Sequence, residues 1–292
     1  MLVEKNVPLQ PYNSFGIAAR AHTLVRVRSA QDVHELLADH RLARQPLFVL
    51  GGGSNIVLTG DVKPVVLKME IKGRRLLEET DKAWIVEAGA GEPWHDTVDW
   101  TLTQGWPGLE NLALIPGTVG ASPIQNIGAY GSEAKDVIES VYALDVKKDE
   151  YVTLSKDECK FSYRDSLFKK EPGRYVIISV TFALKKEGKV QIGYKDLQEY
   201  FAFHKVAEPT LKQVRDAVIE IRTRKLPDLK RYGTAGSFFK NVVVSQAKAQ
   251  ELLAKYPEMI LHSVTDNKVK IPVAWILDHV CGFRGAKIGN VG

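Results

Sequence analysis

Apolar residues in the first part of the chain follow the order strand, helix, strand, glycine loop. Residues 24–27 predict a short strand, and Ser29 begins a weak S-x-x-D capping signal ahead of apolar residues at helical spacing in 33–37. Residues 46–50 form an apolar run that predicts a second strand. This strand leads directly into the glycine loop 51–55, Gly-Gly-Gly-Ser-Asn.

The middle of the chain mixes strands with one helix. Apolar runs predict single strands at residues 64–69, 84–88 and 175–184. Two further runs, 137–146 and 151–154, flank Lys-Lys-Asp-Glu and predict a hairpin. Pro93 suits the first turn of a helix that runs to about Thr103 and stops at Gly105. The region is therefore α+β, without a repeat.

The last third contains a long helix and a smaller set of elements. Thr210 opens a T-x-x-Q signal before apolar residues at helical spacing, which predicts a helix that ends at Pro227. Beyond it we expect a loop and strand at 236–244, a helix capped by Ser245 and a helix near 273–280. The helix from Thr210 is expected to lead into a separate C-terminal domain.

Residues 111–131 carry an unusual pattern that fits neither the helical nor the strand period. The stretch is glycine-rich and apolar, and it contains no charged residue. Glycine lets another group approach the backbone closely, and long loops in compact domains are usually functional. Two interpretations remain open: a buried core loop, or a backbone cradle for a large, flat, partly polar ligand.

The glycine loop 51–55 is not a dinucleotide-binding fingerprint. The third glycine of G-x-G-x-x-G would fall at Ile56, and the residues that follow predict a strand rather than a helix. Successive backbone N–H groups, with Ser54 and Asn55, are still able to bind a phosphate. The alternative is a plain glycine turn.

Composition narrows the classes of function. The chain has 292 residues with a formal net charge of +5, a modest excess that favours anionic ligands. Without a dense basic tract or an apolar run of about 20 residues, we expect neither nucleic-acid binding nor a membrane span. The N-terminus lacks a secretory signal core, and Cys159 and Cys281 have no spacing for a zinc site or a disulfide framework. A cytoplasmic protein without metal is expected.

Several motifs together resemble a known enzyme family. They are Pro-Tyr-Asn-Ser-Phe-Gly-Ile at 11–17, the loop 51–55, the stretch 111–131, Tyr-Arg-Asp-Ser at 163–166, Arg-Thr-Arg-Lys-Leu-Pro-Asp at 222–228 and Gly-Ser-Phe-Phe-Lys-Asn at 236–241. In this order they resemble the UDP-N-acetylenolpyruvoylglucosamine reductases, FAD enzymes of peptidoglycan precursor synthesis. The resemblance covers nearly the whole chain.

The resemblance implies a fold and a reaction. The fold class is α+β, with a two-lobed FAD-binding domain of the PCMH/vanillyl-alcohol-oxidase-like type and a smaller α+β substrate domain. The boundaries expected are 1–70 and 71–225 for the two lobes and 226–292 for the substrate domain. The implied reaction is the NADPH-dependent reduction of a UDP-sugar enolpyruvyl ether, and a monomer is expected.

The same resemblance implies the residues that hold FAD. No histidine lies in 111–131, which argues against covalent attachment. The implied cofactor-binding residues come from both glycine-rich segments and the long helix: Gly51, Gly52, Gly53, Ser54, Asn55, Pro116, Gly117, Gly120, Ser122, Ile124, Asn126, Gly128 and Arg222.

Two residues are implied to be catalytic. Ser237 would donate a proton to the carbon next to the substrate carboxylate. Arg164 would face that carboxylate, a task suited to a permanently charged, two-point donor. The residues alone leave plainer interpretations open: a turn serine beside Gly236, and a surface salt bridge between Arg164 and Asp165.

The resemblance also implies a set of substrate-binding residues. They are Tyr163, Tyr194, Lys225 and Asn241, with Lys225 on the nucleotide diphosphate and Tyr194 on a segment that closes over the substrate. Arg222 and Lys225 are three residues apart and so share a helix face. The alternatives are an ordinary basic helix end and a packing tyrosine.

One departure from the family pattern bears on activity. The family's catalytic glutamate lies near the C-terminus, beyond the point where this sequence stops, so an incomplete substrate domain is expected. This leaves two alternatives open: an FAD- or nucleotide-binding chain with little turnover, and another oxidase of the same flavin-fold superfamily.

Overall fold

The computed structural model describes residues 1–226, 232–233, 239–265 and 267–287. These residues belong to two compact units, Met1–Leu226 and Pro227–Gly292. In the described ranges, no helix has both the length and the apolar character that crossing a bilayer requires.

The first sheet of the larger unit has the order β1-β2-β4-β3. Its strands are β1 Leu2–Pro8, β2 Arg20–Val27, β3 Leu47–Leu50 and β4 Val62–Met69. Strands β2 and β3 both pair with β4 in parallel, and β1 pairs with β2 antiparallel. Between β2 and β3 lie α1 Ala30–Ala38, which has the predicted capping box at Ser29, and the short α2 His40–Ala43.

The second sheet has five antiparallel strands in the order β10-β9-β11-β6-β5. They are β5 Arg74–Glu79, β6 Ala83–Gly89, β9 Ile138–Asp145, β10 Glu150–Ser155 and β11 Tyr175–Lys185. The hairpin predicted around Lys-Lys-Asp-Glu is confirmed as β9 and β10. Strand β11 is central and has the longest buried run, as its apolar sequence predicts.

Helices and short turns link this sheet to the glycine-rich stretch. Helix α3 Trp94–Thr103 begins after Pro93, as predicted, and the short pair β7 Gly128–Ala129 and β8 Ser132–Glu133 ends the glycine-rich stretch. Two more helices, α4 Leu167–Lys170 and α5 Lys195–Phe203, precede the long α6 Leu211–Lys225.

Helix α6 carries basic residues to the glycine-rich stretch. Val214, Ala217, Val218 and Ile221 form its buried side, and the helix packs against the turn Glu110–Leu112. Burial of such a face stabilises a helix more than its intrinsic propensity does. Since the basic residues lie in the last turn of α6, they are held close to residues 111–131.

The smaller unit contains a three-stranded antiparallel sheet of order β12-β14-β13. Its elements are β12 Val242–Ser245, α7 Gln246–Lys255, β13 His262–Thr265 and β14 Lys268–Ile271. Ser245 caps α7, as predicted. The helix predicted near 273–280 is a single turn, Val273–Trp275, that continues as the π-helix Ile276–Val280.

The cap of α6 provides a test of the fold. The Thr210 hydroxyl accepts from Gln213 N at 3.3 Å, and the Gln213 side chain accepts from Thr210 N at 2.8 Å. We expect Thr210→Ala to lower the free energy of unfolding of this unit by about 1 kcal/mol, because the Gln213 N–H loses its side-chain acceptor. Denaturant unfolding measures this, and Thr210→Ser is the matched control. Equal loss in both variants would contradict a capping role.

Candidate functional site

Two glycine loops, 51–55 and 116–120, meet backbone to backbone in the larger unit. A Cβ atom on Gly52 would lie 2.8 Å from Gly117 Cα, and one on Gly51 would lie 2.7 Å from Thr118 Oγ1. Gly117 has φ of +123°, which side chains disfavour. The contact therefore requires glycine on both loops.

Polar side chains bind the first loop to its surroundings. Ser54 Oγ donates to Pro116 O at 3.1 Å, and Asn55 Nδ2 donates to Gln125 Oε1 at 3.3 Å. Behind the loop, Ser14 N donates to Gly53 O at 3.1 Å. The loop is thus fixed on both sides by residues far away in sequence.

The first loop keeps its backbone donors available. Within the described part of the chain, the N–H groups of residues 51–55 donate to no acceptor. Thr118 Oγ1 is buried between the loops and has no hydrogen-bond partner there. A buried hydroxyl is normally paired, and successive backbone N–H groups form anion-binding loops, so this combination suits a ligand that accepts hydrogen bonds.

The second half of the glycine-rich stretch is shaped by internal hydrogen bonds. Ser122 Oγ donates to Val119 O at 2.7 Å, and Asn126 Nδ2 donates to Glu133 Oε2 at 3.0 Å. Ile124 O accepts from Ser166 Oγ at 2.6 Å. These interactions use the donors of the Ser122 and Asn126 side chains, and they fix the backbone of the segment that is predicted to hold the cofactor.

Arg164 lies beside the end of this stretch. It sits in the turn between Ser162 and Asp165 with φ of +52°, a conformation that non-glycine residues adopt at a cost of about 1–3 kcal/mol. Arg164 Nη2 donates to Gly128 O at 2.9 Å. Asp165 instead pairs with Lys170 at 3.3 Å, so the alternative of an Arg164–Asp165 salt bridge is not what the structure shows. Tyr163 is the partly buried neighbour in this turn.

Arg222 meets a tyrosine that sequence reasoning missed. Burial lowers the pKa of the Arg222 guanidinium, and the electrostatic interaction with the Tyr130 side chain opposes that shift. Arg222 Nε is buried and unpartnered among the described residues. Tyr130 has φ of +47°, and its ring lies edge-on to Tyr194 at 5.4 Å. Its place inside the glycine-rich stretch is the signal that could have identified it.

Lys225 lies next to the segment that bears Tyr194. Its Nζ pairs with Asp196 Oδ1 at 2.7 Å, two residues after Tyr194, which is the N-cap of α5. Tyr194 is 47% exposed, so its ring is accessible at the surface of this unit. The structure therefore groups Arg222, Lys225 and Tyr194 at one place.

Two predicted residues belong to the smaller unit. Asn241 Oδ1 accepts from Val273 N at 3.0 Å, which fixes the start of the final helix. Ser237 lies outside the described residues. Among the described residues, no group of three or more His, Cys, Asp or Glu side chains is placed to hold a metal ion.

Comparison with known proteins places this geometry in context. Residues 21–155 match the model of a family described as the FAD binding domain. The chain is 47% identical to the UDP-N-acetylenolpyruvoylglucosamine reductase of Azoarcus sp. (strain BH72), over 100% of this chain and 85% of that protein. It is 45% identical to the protein of the same name from Dechloromonas aromatica (strain RCB), over 98% of this chain and 85% of that protein.

A solved structure supports the fold. The crystal structure of the UDP-N-acetylenolpyruvylglucosamine reductase from Thermus caldophilus matches with a TM-score of 0.58 and 20% identity, covering 98% of this chain and 96% of that one. The predicted fold class, α+β with an FAD-binding domain, is thereby confirmed. Because 98–100% of its sequence aligns with 85% of these relatives at 45–47% identity, the chain belongs to the UDP-N-acetylenolpyruvoylglucosamine reductase family.

Proposed function

We propose that this chain reduces UDP-N-acetylglucosamine enolpyruvate to UDP-N-acetylmuramate, with non-covalent FAD as cofactor and NADPH as co-substrate. It would do so as a cytoplasmic monomer in peptidoglycan precursor synthesis. The observation that carries the proposal is one grouping of residues. The glycine cradle, Arg164 at Gly128 and the Tyr194–Arg222–Lys225 group converge on residues 111–131.

The two glycine loops fit the cofactor. The unpaired N–H groups of residues 51–55 suit the oxygens of a diphosphate, and Thr118 Oγ1 offers one more polar contact between the loops. The backbone of 116–128 and the Arg222 side chain would line the flavin. When bound, FAD supplies the two-electron reduction that the reaction requires.

Arg164 has the chemistry to hold the enolpyruvyl carboxylate. Its guanidinium has no carboxylate within 4.0 Å among the described residues, since Asp165 is taken by Lys170. A planar cation binds a carboxylate at two points and stabilises negative charge that develops next to it. Ser237 is then the proposed donor of the proton that completes the reduction.

Tyr194 and Lys225 are the proposed contacts for the nucleotide end of the substrate. Lys225 offers a charge for the diphosphate, and the exposed ring of Tyr194 offers a surface for a ribose or base. Tyr163 and Asn241 are kept as substrate-binding proposals on the motif match alone.

The direct test is NADPH oxidation by the purified chain, with and without the enolpyruvyl substrate. We expect a yellow protein whose flavin is released by acid, and oxidation that accelerates when substrate is added. A colourless chain that takes up no FAD would overturn the cofactor assignment. A yellow chain without substrate-dependent oxidation would overturn the reaction but leave FAD binding in place.

The contact between the two glycine loops can be tested by adding one methyl group. We expect Gly52→Ala to weaken FAD binding by about tenfold or more, because its Cβ would collide with Gly117 and push the loops apart. Titration of the apoprotein by flavin fluorescence measures the dissociation constant. Gly60→Ala is the control, since a Cβ there meets nothing within 4 Å. Equal FAD affinity in both variants would contradict the cradle.

Ser237 can be tested by separating the two halves of the reaction. We expect Ser237→Ala to leave flavin bleaching by NADPH unchanged and to slow recovery of the flavin absorbance by substrate about 10²–10⁴-fold. The reason is that a proton donor to the substrate acts only in the second half. Stopped-flow absorbance resolves both phases, and the first phase is the internal control. Equal slowing of both phases would remove Ser237 from this role.

Lys225 should act in substrate binding rather than in the chemical step. A charge contact to a diphosphate is made in the ground and transition states alike, so Lys225→Ala should raise KM about tenfold or more and change kcat less. Steady-state kinetics measures both. Lys212→Ala is the matched control, because Lys212 lies on the same helix and pairs with Asp216 at 2.7 Å. A collapsed kcat with unchanged KM would contradict a diphosphate anchor.

A further inference from the structure

A lysine of the first sheet lies behind the loop 51–55. Lys68 is on β4, where its neighbours in register are Arg26 on β2 and Leu50 on β3. Leu50 is the last residue of β3, and the glycine loop begins directly after it. The register alone therefore brings Lys68 to the base of the loop.

The Lys68 ammonium binds the first peptide of the loop. Its Nζ donates to Gly51 O at 2.6 Å and lies 5.7 Å from the centre of the Tyr12 ring. Tyr12 belongs to the motif 11–17, to which the proposed function gives no role. The same motif supplies Ser14 N, which donates to Gly53 O. Lys68 and this motif thus bind two carbonyls of the loop, those of Gly51 and Gly53.

Lys68 and its neighbour Arg26 differ in whether a carboxylate contacts their positive charge. Arg26 contacts carboxylates on two sides, Glu4 and Glu70, each at 2.6 Å. Lys68, by contrast, has no carboxylate within 4.0 Å in the described ranges. Burial lowers its pKa, and Glu70 opposes that shift only from a greater distance. A partly buried cation without a carboxylate partner is costly unless another anion compensates it.

The hydrogen bond from Lys68 to Gly51 O also affects the N–H group of the same peptide. A cation on a carbonyl polarises the amide, and chained hydrogen bonds strengthen one another in a low-dielectric setting. The N–H group of the polarised peptide belongs to Gly52, one of the unpaired donors of the loop. The ammonium therefore strengthens the donor at the point where the two glycine loops touch.

We propose that Lys68 is a positioning residue for the diphosphate of FAD, acting through the Gly51–Gly52 peptide and through its charge, which no carboxylate contacts in the described ranges. This rests on the proposed FAD site. Lys68 does not touch the reacting atoms. It sets the direction and strength of the backbone donors that receive the cofactor, and its ammonium lies 5.7 Å from the centre of the Tyr12 ring.

The test compares Lys68→Met with wild type as apoproteins. We expect the FAD dissociation constant to rise about 10- to 100-fold, the range for losing a hydrogen bond to a charged group. The melting temperature of the apoprotein should be unchanged or higher, because methionine removes a partly desolvated charge. A purely structural role predicts the opposite, a lower melting temperature. The rise in the FAD dissociation constant should become smaller with added KCl, because salt screens the charge of Lys68.

Two further variants complete the test. Lys68→Arg keeps a cation and a donor, so it should retain most of the FAD affinity. Lys72→Met is the control, since Lys72 also donates to a glycine carbonyl, Gly91 O at 2.7 Å, but has Glu92 at 4.0 Å. The FAD dissociation constant of Lys72→Met should stay within about twofold of the wild-type value. This change is smaller than the one expected from losing a hydrogen bond to a charged group.

The outcomes separate this inference from the function on which it rests. Wild-type chain that binds no FAD overturns the proposed function. Wild-type binding with an unchanged dissociation constant in Lys68→Met overturns the positioning role alone, as does an equal loss in Lys72→Met. If Lys68→Met does not fold, the role is overturned when folded Lys68→Arg fails to bind FAD or when Tyr12→Leu leaves the affinity unchanged.

Discussion

The rest of the site depends on the approach of two peptide backbones, at Gly52 and Gly117. A Cβ atom on Gly52 would lie 2.8 Å from Gly117 Cα, and Gly117 has φ of +123°, which disfavours any side chain. The contact joins the end of the parallel strand β3 to the stretch that follows α3, beside the hydrophobic core that the two sheets share. Everything that lines residues 111–131, including Arg164 and the end of α6, takes its place relative to this contact.

The same region concentrates unfavourable backbone conformations. Leu114, Asn126, Tyr130 and Arg164 all have positive φ, between 46° and 56°. Each costs about 1–3 kcal/mol and persists only where the surroundings fix it. Those surroundings are visible: Leu114 N donates to His95 Nδ1 at 3.3 Å, and Asn126 Oδ1 accepts from Lys135 N at 2.9 Å. The surrounding packing thus stabilises unfavourable backbone conformations in the stretch 111–131 and in the turn at Arg164.

The sequence correctly predicted the elements that are determined by neighbouring residues. The caps at Ser29, Thr210 and Ser245 and the hairpin of β9 and β10 follow from neighbouring residues, and all are present. It missed β1, whose polar sequence shows no clear alternation because the strand lies at the edge of its sheet. It also missed β5, a mostly exposed edge strand, and α5, whose apolar face is short.

The residues of the site show the same difference: those that belong to local motifs could be predicted, and those that depend on distant partners could not. Glycine loops and basic residues are visible as motifs, whereas Tyr130 and Lys68 matter through partners far away in sequence. The pairing of Asp165 with Lys170 instead of Arg164 depends on α4, which brings the lysine to the turn. No spacing rule within Tyr-Arg-Asp-Ser could have decided which cation the aspartate takes.

Charge compensation around the glycine loops follows one rule. Cations at the margin have carboxylate partners: Arg26 with Glu4 and Glu70, Lys225 with Asp196 and Lys170 with Asp165. Among the described residues, Lys68, Arg164 and Arg222 have no carboxylate within 4.0 Å. Lys68 donates instead to Gly51 O, and Arg164 donates to Gly128 O. Neutral oxygens satisfy the donors but leave the charge in place. Because desolvated positive charge without a counter-ion is unfavourable, these three positions are the ones where an anionic ligand gains most from binding.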